Sequence, residues 1–370
     1  MKIAVDIHIP FLKGLPEKFA DEVDYFSPEE FSRKRIADSD ALIIRTVDKC
    51  TRDILQDARV QFIATTSVGF DHIDTDYCRE RRIGWANTPG ANAESVAHYF
   101  LLALVRLSLK HGFAMREKTV GLIGAGNTGK AIERFCRALG MQVFLNDPPR
   151  AEKEDDSALV SLETIQKECD IISIHTPLTR EGKYKTLHLA DRQFFDALVK
   201  KTIFINTARG EVAETEALKT AIKTSKIVSA VIDCWEGEPV IDKELLSLTE
   251  IPTPHIAGFS ADGKANSTHM ALEAVKKFFR IPLFDDTIIL PPPANPVIDL
   301  NTFDSSKRIE YAILHTLNTA GTEEELRQSP LCFENLRTHF VNPREFGAYT
   351  ILNATSEEYD LLRKLKFSFG

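Results

Sequence analysis

Residues 119–146 read TVGLIGAGNTGKAIERFCRALGMQVFLN. An apolar run, Thr119 to Ile123, leads into Gly124-Ala125-Gly126-Asn127-Thr128-Gly129. A helical pattern follows, with Ala131, Ile132, Phe135, Cys136 and Leu139 on one face and Gly140 closing it. The strand–glycine turn–helix order is what a dinucleotide pyrophosphate requires. The first glycine makes a tight turn, the second admits the phosphates to the backbone, and the third lets helix and strand pack closely. Gly124, Gly126, Asn127 and Thr128 are therefore expected to hold the cofactor. The next apolar run ends in Asn146-Asp147, and Asp147 lies 147 − 129 = 18 residues past the last glycine. A carboxylate there accepts hydrogen bonds from ribose hydroxyls and repels a 2′-phosphate, which favours NAD over NADP.

Working outward, further nearly continuous apolar runs (DIISIH, TIFIN, IVSAVID) predict strands buried on both faces of a parallel sheet. Upstream, KIAVDIHI, ALIIR and VQFIAT alternate with polar helical stretches in a second βαβ series. Long helices are predicted at 92–109 and 264–280, and PPPANP at 291–296 reads as a linker. In the tail, 348–352 reads as a strand, and Thr355 with Glu358 predicts a capping box.

The 370 residues carry 46 Lys+Arg against 54 Asp+Glu, and a net charge of −8 gives no field for gathering nucleic acid or anionic membrane. No apolar run approaches the ~18 residues of a membrane span, and the N-terminus reads as a strand, not a signal peptide. The six cysteines form no C-x-x-C pair, as expected of reduced thiols in a cytoplasmic protein. GFDHID at 69–74 places Asp71, His72 and Asp74 together, but a structural role is expected there and no metal.

Ligands of open α/β sheets bind beyond the carboxyl ends of the strands. Polar groups gather there: His175-Thr176, Thr207-Ala208-Arg209, Asp233 to Glu238, and His255. Arg209, Glu238 and His255 suit hydride exchange with a 2-hydroxy acid. Histidine takes the alcohol proton, glutamate orients and stabilises the imidazolium, and arginine anchors carboxylate and oxyanion.

GAGNTG, HTPL (175–178), NTARGE (206–211), VIDCWEGEP (231–239) and PHIAG (254–258) together resemble the D-isomer-specific 2-hydroxyacid dehydrogenase family. The resemblance implies a Rossmann-type NAD domain (92–258) inserted in a flavodoxin-like substrate domain (1–91 with 259–285). A narrower likeness within the family runs over nearly the whole chain, through MKIAVD, LNDPPR, GKYKTLHLAD and HIAGFSADGKA. It implies a small C-terminal α/β dimerisation domain (286–370), a homodimer, and NAD-dependent oxidation of 4-phospho-D-erythronate on the way to pyridoxal phosphate. It further implies that Arg209, Glu238 and His255 are catalytic, and that Asp147, Thr176, Thr207, Ala208, Asp233 and Gly258 contact NAD. Thr46, Ser67 and position 259 are implied to contact substrate. Two residues depart from the pattern: Phe259 stands in place of a tyrosine, and His98 in place of a glutamate. Arg45, with Lys49 nearby, is the expected partner of a substrate phosphate. The alternatives are a sister activity on an acid such as 3-phosphoglycerate, or an NAD-sensing scaffold without turnover.

Overall fold

The computed structural model describes residues 1–154, 158–282 and 284–370. Contacts divide it into two units, Met1–Asn92 with Ser260–Pro291, and Ala93–Phe259 with Pro292–Gly370.

The first unit is built on strands β1 (Lys2–Asp6), β2 (Glu22–Phe26), β3 (Ala41–Ile44), β4 (Phe62–Thr65) and β5 (Gly84–Ala86), all parallel, in the order β2-β1-β3-β4-β5. The three central strands are the predicted apolar runs. β2 and β5 are edge strands, and β2 was hard to foresee because only Phe26 of Glu22-Val23-Asp24-Tyr25-Phe26 is buried. The helix Ala261–Phe279 belongs to this unit. Its N-cap Ser260 accepts from Gly263 N at 2.7 Å. Its face Ala271, Leu272 and Val275 shares a core with Ile3, Val5, Ile43 and Ala64. Ala271 and Val275 stand four residues apart, the spacing that brings two side chains onto one face of a helix.

The second unit holds β6 (Thr119–Ile123), β7 (Gln142–Asn146), β8 (Ile171–Ile174), β9 (Thr202–Asn206), β10 (Ile227–Ile232) and β11 (Ile251–Pro252). All pair in parallel, in the order β11-β10-β9-β8-β6-β7. Strand order reverses at β6, so a crevice opens beyond the carboxyl ends of β6 and β8, where doubly wound sheets take their ligands. The glycine turn follows β6 and His175 follows β8.

The tail adds a small parallel sheet, β12 (Val297–Asp299), β13 (Thr350–Leu352) and β14 (Ser368–Phe369), in the order β12-β13-β14. The capping box forms, with Thr355 and Glu358 closing the start of the helix Ser356–Lys364. Ile298, Ile351, Phe346 and Leu362 join one buried core with Ala97, Phe100 and Leu104 of the helix Ala93–His111 and with Phe135. That explains why this helix is apolar nearly all round: the helix Asn127–Ala138 packs on it and the tail covers it as well. Arg327 locks the tail further by donating to the carbonyls of Leu246 at 2.9 Å, Thr249 at 2.6 Å and Glu250 at 3.1 Å. His98 is buried in the same place, 2.6 Å from Thr316 Oγ1, with its ring 4.0 Å from that of Phe346. Histidine in place of glutamate is thus housed by the tail. No helix among the described residues is long and apolar enough to cross a membrane.

Gly210 begins the short turn after β9, where an added Cβ would fall 1.9 Å from the carbonyl carbon of Trp235 and 2.0 Å from its oxygen. Backbone cannot yield as a side chain can. Gly210→Ala should lower stability by at least ~2–3 kcal/mol, read as the denaturant midpoint, and an unchanged midpoint would contradict this packing.

Candidate active site

The glycine turn is shaped by close approach. Gly124 has φ +102°, and a Cβ there would lie 2.6 Å from His175 O. A Cβ on Gly129 would lie 2.1 Å from Gly124 O. At Gly126, by contrast, nothing among the described residues lies within 4 Å of that position. Gly126 is also the N-cap of the twelve-residue helix Asn127–Ala138, with no side chain capping it among the described residues. Free helix N–H groups beside open space fit a pyrophosphate. Asp147 accepts from Ala125 N at 2.9 Å and from Arg150 N at 3.2 Å. A carboxylate has about four acceptor positions, so capacity remains for a ribose diol. Arg150 Nη1 donates to Ala125 O at 2.5 Å, which ties the acid-bearing turn to the glycine turn.

Across the crevice, His175 Nε2 and Thr176 Oγ1 are buried with no hydrogen-bond partner among the described residues. Orphaned polar atoms at this position, beside the open turn, fit a cofactor that supplies their partners. Burial drives the His175 imidazole down to about 3, so the ring is neutral. Thr207 Oγ1 lies 3.5 Å from its Nδ1. His175 was not among the residues expected to act, although the strand-end HTP pointed to its place.

The three proposed catalytic side chains stand on one rim of this sheet. Arg209 follows β9, Glu238 lies in the loop after β10, and His255 follows β11. Glu238 Oε2 accepts from Trp235 N at 3.0 Å, and Oε1 lies 2.5 Å from His255 Nδ1. Arg209 donates to Ala208 O at 2.8 Å and has no acidic partner among the described residues, so its charge is available to an anion. Asn206 fastens both ends of the arginine turn, accepting from Ala208 N at 3.1 Å and donating to Arg209 O at 3.0 Å.

Electrostatics set the pair's charge. Burial disfavours the His255 imidazolium, but the neighbouring Cys234 sulfur and the Glu238 carboxylate favour it and hold the ring well above the ordinary value. Burial also pushes the Cys234 thiol up, so at neutral pH the formal negative charge is that of Glu238. Glu238 in turn is disfavoured by burial yet ends below the usual carboxylate range, through His255 and the Trp235 N–H.

Asp233, expected at the cofactor, uses its carboxylate within the protein. Oδ1 accepts from Thr253 Oγ1 at 2.6 Å and Ile256 N at 2.8 Å, and Oδ2 accepts from Ala257 N at 3.0 Å. Gly258 and Phe259 close the same loop, where Phe259 N donates to Ile256 O at 2.8 Å.

The remaining expected residues lie in the first unit. Thr46 is exposed in the turn after β3, and Ser67 follows β4 with its hydroxyl 3.1 Å from Thr65 Oγ1. Arg45 Nε is already 2.6 Å from Asp6 Oδ2, a partner the sequence did not suggest. His72 Nε2 lies 3.0 Å from Thr65 Oγ1 and Asp74 accepts from Tyr77 N at 2.8 Å, so both have local structural partners.

Comparison with known proteins agrees with this geometry. Residues 94–257 match the model of the D-isomer specific 2-hydroxyacid dehydrogenase NAD binding domain, and NAD is the cofactor of that unit. The chain is 44% identical over 370 residues to erythronate-4-phosphate dehydrogenase of Porphyromonas gingivalis, covering 99% of this chain and all of that one. It is 47% identical over 352 residues to the Bacteroides fragilis enzyme of the same name, covering 95% and 99%. Among solved structures, NAD⁺-bound 3-phosphoglycerate dehydrogenase of Entamoeba histolytica superposes with a TM-score of 0.65 at 26% identity, over 76% of this chain and 96% of that one. With its crevice, its strand-end residues and relatives matched from end to end, the chain belongs to the D-isomer-specific 2-hydroxyacid dehydrogenase family, in the erythronate-4-phosphate dehydrogenase branch.

Proposed function

We propose that the protein oxidises 4-phospho-D-erythronate to (R)-3-hydroxy-2-oxo-4-phosphooxybutanoate with NAD, a step toward pyridoxal 5′-phosphate. The observation that carries this is the Glu238–His255 pair at 2.5 Å on the same rim of an NAD-binding sheet as Arg209, which has no acidic partner among the described residues. The full-length likeness to enzymes of that name supplies the substrate. NAD, when bound, supplies the hydride acceptor. The glycine turn, Asn127, Thr128, Asp147, Thr176, Thr207, Ala208 and Gly258 would hold it, with Asp233 keeping their loop in place.

His255 acts as the base. Its Nδ1 is held by Glu238, which leaves the second ring nitrogen to take the hydroxyl proton. The imidazolium so formed is stabilised by the carboxylate. Arg209 binds the substrate carboxylate and follows the reacting oxygen as it becomes a carbonyl. Thr46 and Ser67 bind the polyol chain, Phe259 packs against it without a hydroxyl to donate, and Arg45 with Lys49 takes the phosphate.

The protein is further proposed to act as a homodimer through the tail. Leu331 and Val341 support this, being large apolar side chains of the tail that are 86% and 84% exposed. In sedimentation, Leu331→Glu with Val341→Glu should shift the protein to monomer, and a dimer that survives both changes would place the interface elsewhere.

The charge state of His255 fixes the pH response. A ring held above its ordinary 6.5 is protonated at neutral pH and must lose that proton before it can act as base. Oxidation should therefore rise with pH through the elevated titration, while the reverse reduction, which needs the imidazolium, falls. Glu238→Gln removes the charge that raises the ring, so both curves should move to lower pH, by NMR titration of His255 as well as by rate. A midpoint that stays in place would exclude Glu238 as the tuning group.

A substrate panel decides the reading. 4-Phosphoerythronate should exceed erythronate and 3-phosphoglycerate in kcat/KM with NAD, and His255→Ala should lose ~10²–10⁴-fold in turnover while binding NADH normally. Preference for 3-phosphoglycerate would reassign the substrate, and NADH binding without turnover on any acid would mark a sensing scaffold.

A further inference from the structure

In the first unit the strand order reverses between β1 and β3, so the crevice beyond their carboxyl ends is the ligand position of that sheet. Three ionisable residues converge there. Asp6 ends β1, Arg45 follows β3, and Asp48 closes the turn. Arg45 Nε donates to Asp6 Oδ2 at 2.6 Å, and Arg45 N donates to Asp48 Oδ2 at 2.9 Å. Asp6 Oδ1 accepts from His8 N at 2.8 Å. Both acids are buried at 1% exposure, whereas the arginine side chain keeps 30%. The two Nη groups of Arg45 have no partner among the described residues.

The remaining oxygen, Asp48 Oδ1, is buried without a hydrogen-bond partner among the described residues, and the Asp6 carboxyl neighbours the Asp48 carboxyl. Two buried carboxylates in contact cannot both be charged; one keeps a proton, and the hydrogen bond that proton makes satisfies the orphaned oxygen. Burial first, then the neighbouring Asp6, push Asp48 up to about 7, so the pair holds its shared proton into the neutral range. Arg45 grips Asp6 through Nε and answers the pair's single negative charge. With one shared proton the cluster is neutral as a whole, and among the described residues only Nε of the guanidinium is occupied.

We propose that Asp6 and Asp48 act as a positioning clamp for Arg45, aiming its free Nη edge at the phosphate of the substrate while the shared proton keeps the cluster from becoming a net anion. This rests on the reading of a phosphorylated substrate at Arg45. An unanchored arginine must lose its rotamer freedom each time it binds; one fixed through Nε presents a planar fork already in place. Asp6 also opposes an incoming anion by its charge. Direct hydrogen bonding to a fixed fork outweighs that opposition if the carboxylate is limited to a single charge, which is what the second, protonated acid ensures.

Initial rates with 4-phosphoerythronate and with plain erythronate test the clamp, in the full-length enzyme. Asp6→Asn is isosteric and strips the charge that holds Nε. It should raise KM for the phosphorylated acid about tenfold, the order of one charge-assisted hydrogen bond, with a much smaller change in kcat and in the constants for NAD and erythronate. Asp48→Asn keeps a neutral donor facing Asp6 and should retain the preference for the phosphorylated acid. Arg45→Ala tests the underlying reading, and an undiminished preference there removes the phosphate from this turn altogether. If Arg45→Ala abolishes the preference but Asp6→Asn matches the wild type, tightens binding, or weakens both acids alike, the clamp is overturned while the phosphate site stands. Equal loss of preference in Asp48→Asn and Asp6→Asn likewise overturns the shared-proton arrangement.

Discussion

One buried carboxylate, that of Asp233, holds the loop on which the proposed chemistry depends. Its three hydrogen bonds, to Thr253 Oγ1, Ile256 N and Ala257 N, fasten the chain on both sides of His255. His255 itself has φ +56°, a left-handed conformation that costs a non-glycine residue about 1–3 kcal/mol. The cost is offset because His255 N also bonds to Asp233 O at 2.8 Å, so the strained residue is gripped from one neighbour. The network extends outward. Thr253 Oγ1 meets Tyr99 OH at 2.6 Å, and Trp235 Nε1 donates to Thr253 O at 2.8 Å. The imidazole that must meet Glu238 is thus aimed by the long helix, by the Trp235 loop and by Asp233 together. A carboxylate in such surroundings is disfavoured as an anion by burial, and the bonds it accepts counter that.

The same residue type is set to opposite tasks a short distance along the strand ends. His175 is buried with no anion to answer, and desolvation leaves it neutral. His255 is also desolvated, but a carboxylate at 2.5 Å reverses the balance. A neutral ring at the crevice proposed for the cofactor adds no positive charge where NAD⁺ would bring its own. A ring that can carry a proton next to Glu238 is suited to exchange one. Neither property belongs to histidine as such; each follows from which partner the fold supplies.

The tail bears on this arrangement although its residues concerned, Arg327, Phe333 and Leu336, lie more than seventy positions beyond His255. Phe333 and Leu336 are buried in one core with Trp235 and Ile241, on either side of Glu238 in the chain. Arg327 closes three carbonyls at the entry to β11, which leads into the His255 loop. The curated relatives match essentially the whole chain, whereas the 3-phosphoglycerate dehydrogenase fold covers 76% of it. In this chain the backing of the glutamate loop thus includes the tail.

The strands of both sheets, the glycine turn and the rim of polar residues were legible from the sequence because each rests on local pattern. An apolar run buried on two faces, or glycines whose spacing meets a turn, announces itself without reference to distant parts of the chain. The edge strand Glu22–Phe26 is the exception, since only one of its five residues is buried and it carries no such run. Arg209, Glu238 and His255 were legible as residue types at strand ends, but only the folded chain decided that Nδ1 of His255 meets Glu238 and that Arg209 has no acidic partner among the described residues. Asp48 lay outside every motif, and Asp6 entered only within the runs KIAVDIHI and MKIAVD, with no role attached to it. Their contact joins residues 42 positions apart through parallel strands β1 and β3, and a proton shared between two acids exists only where tertiary burial removes water from both.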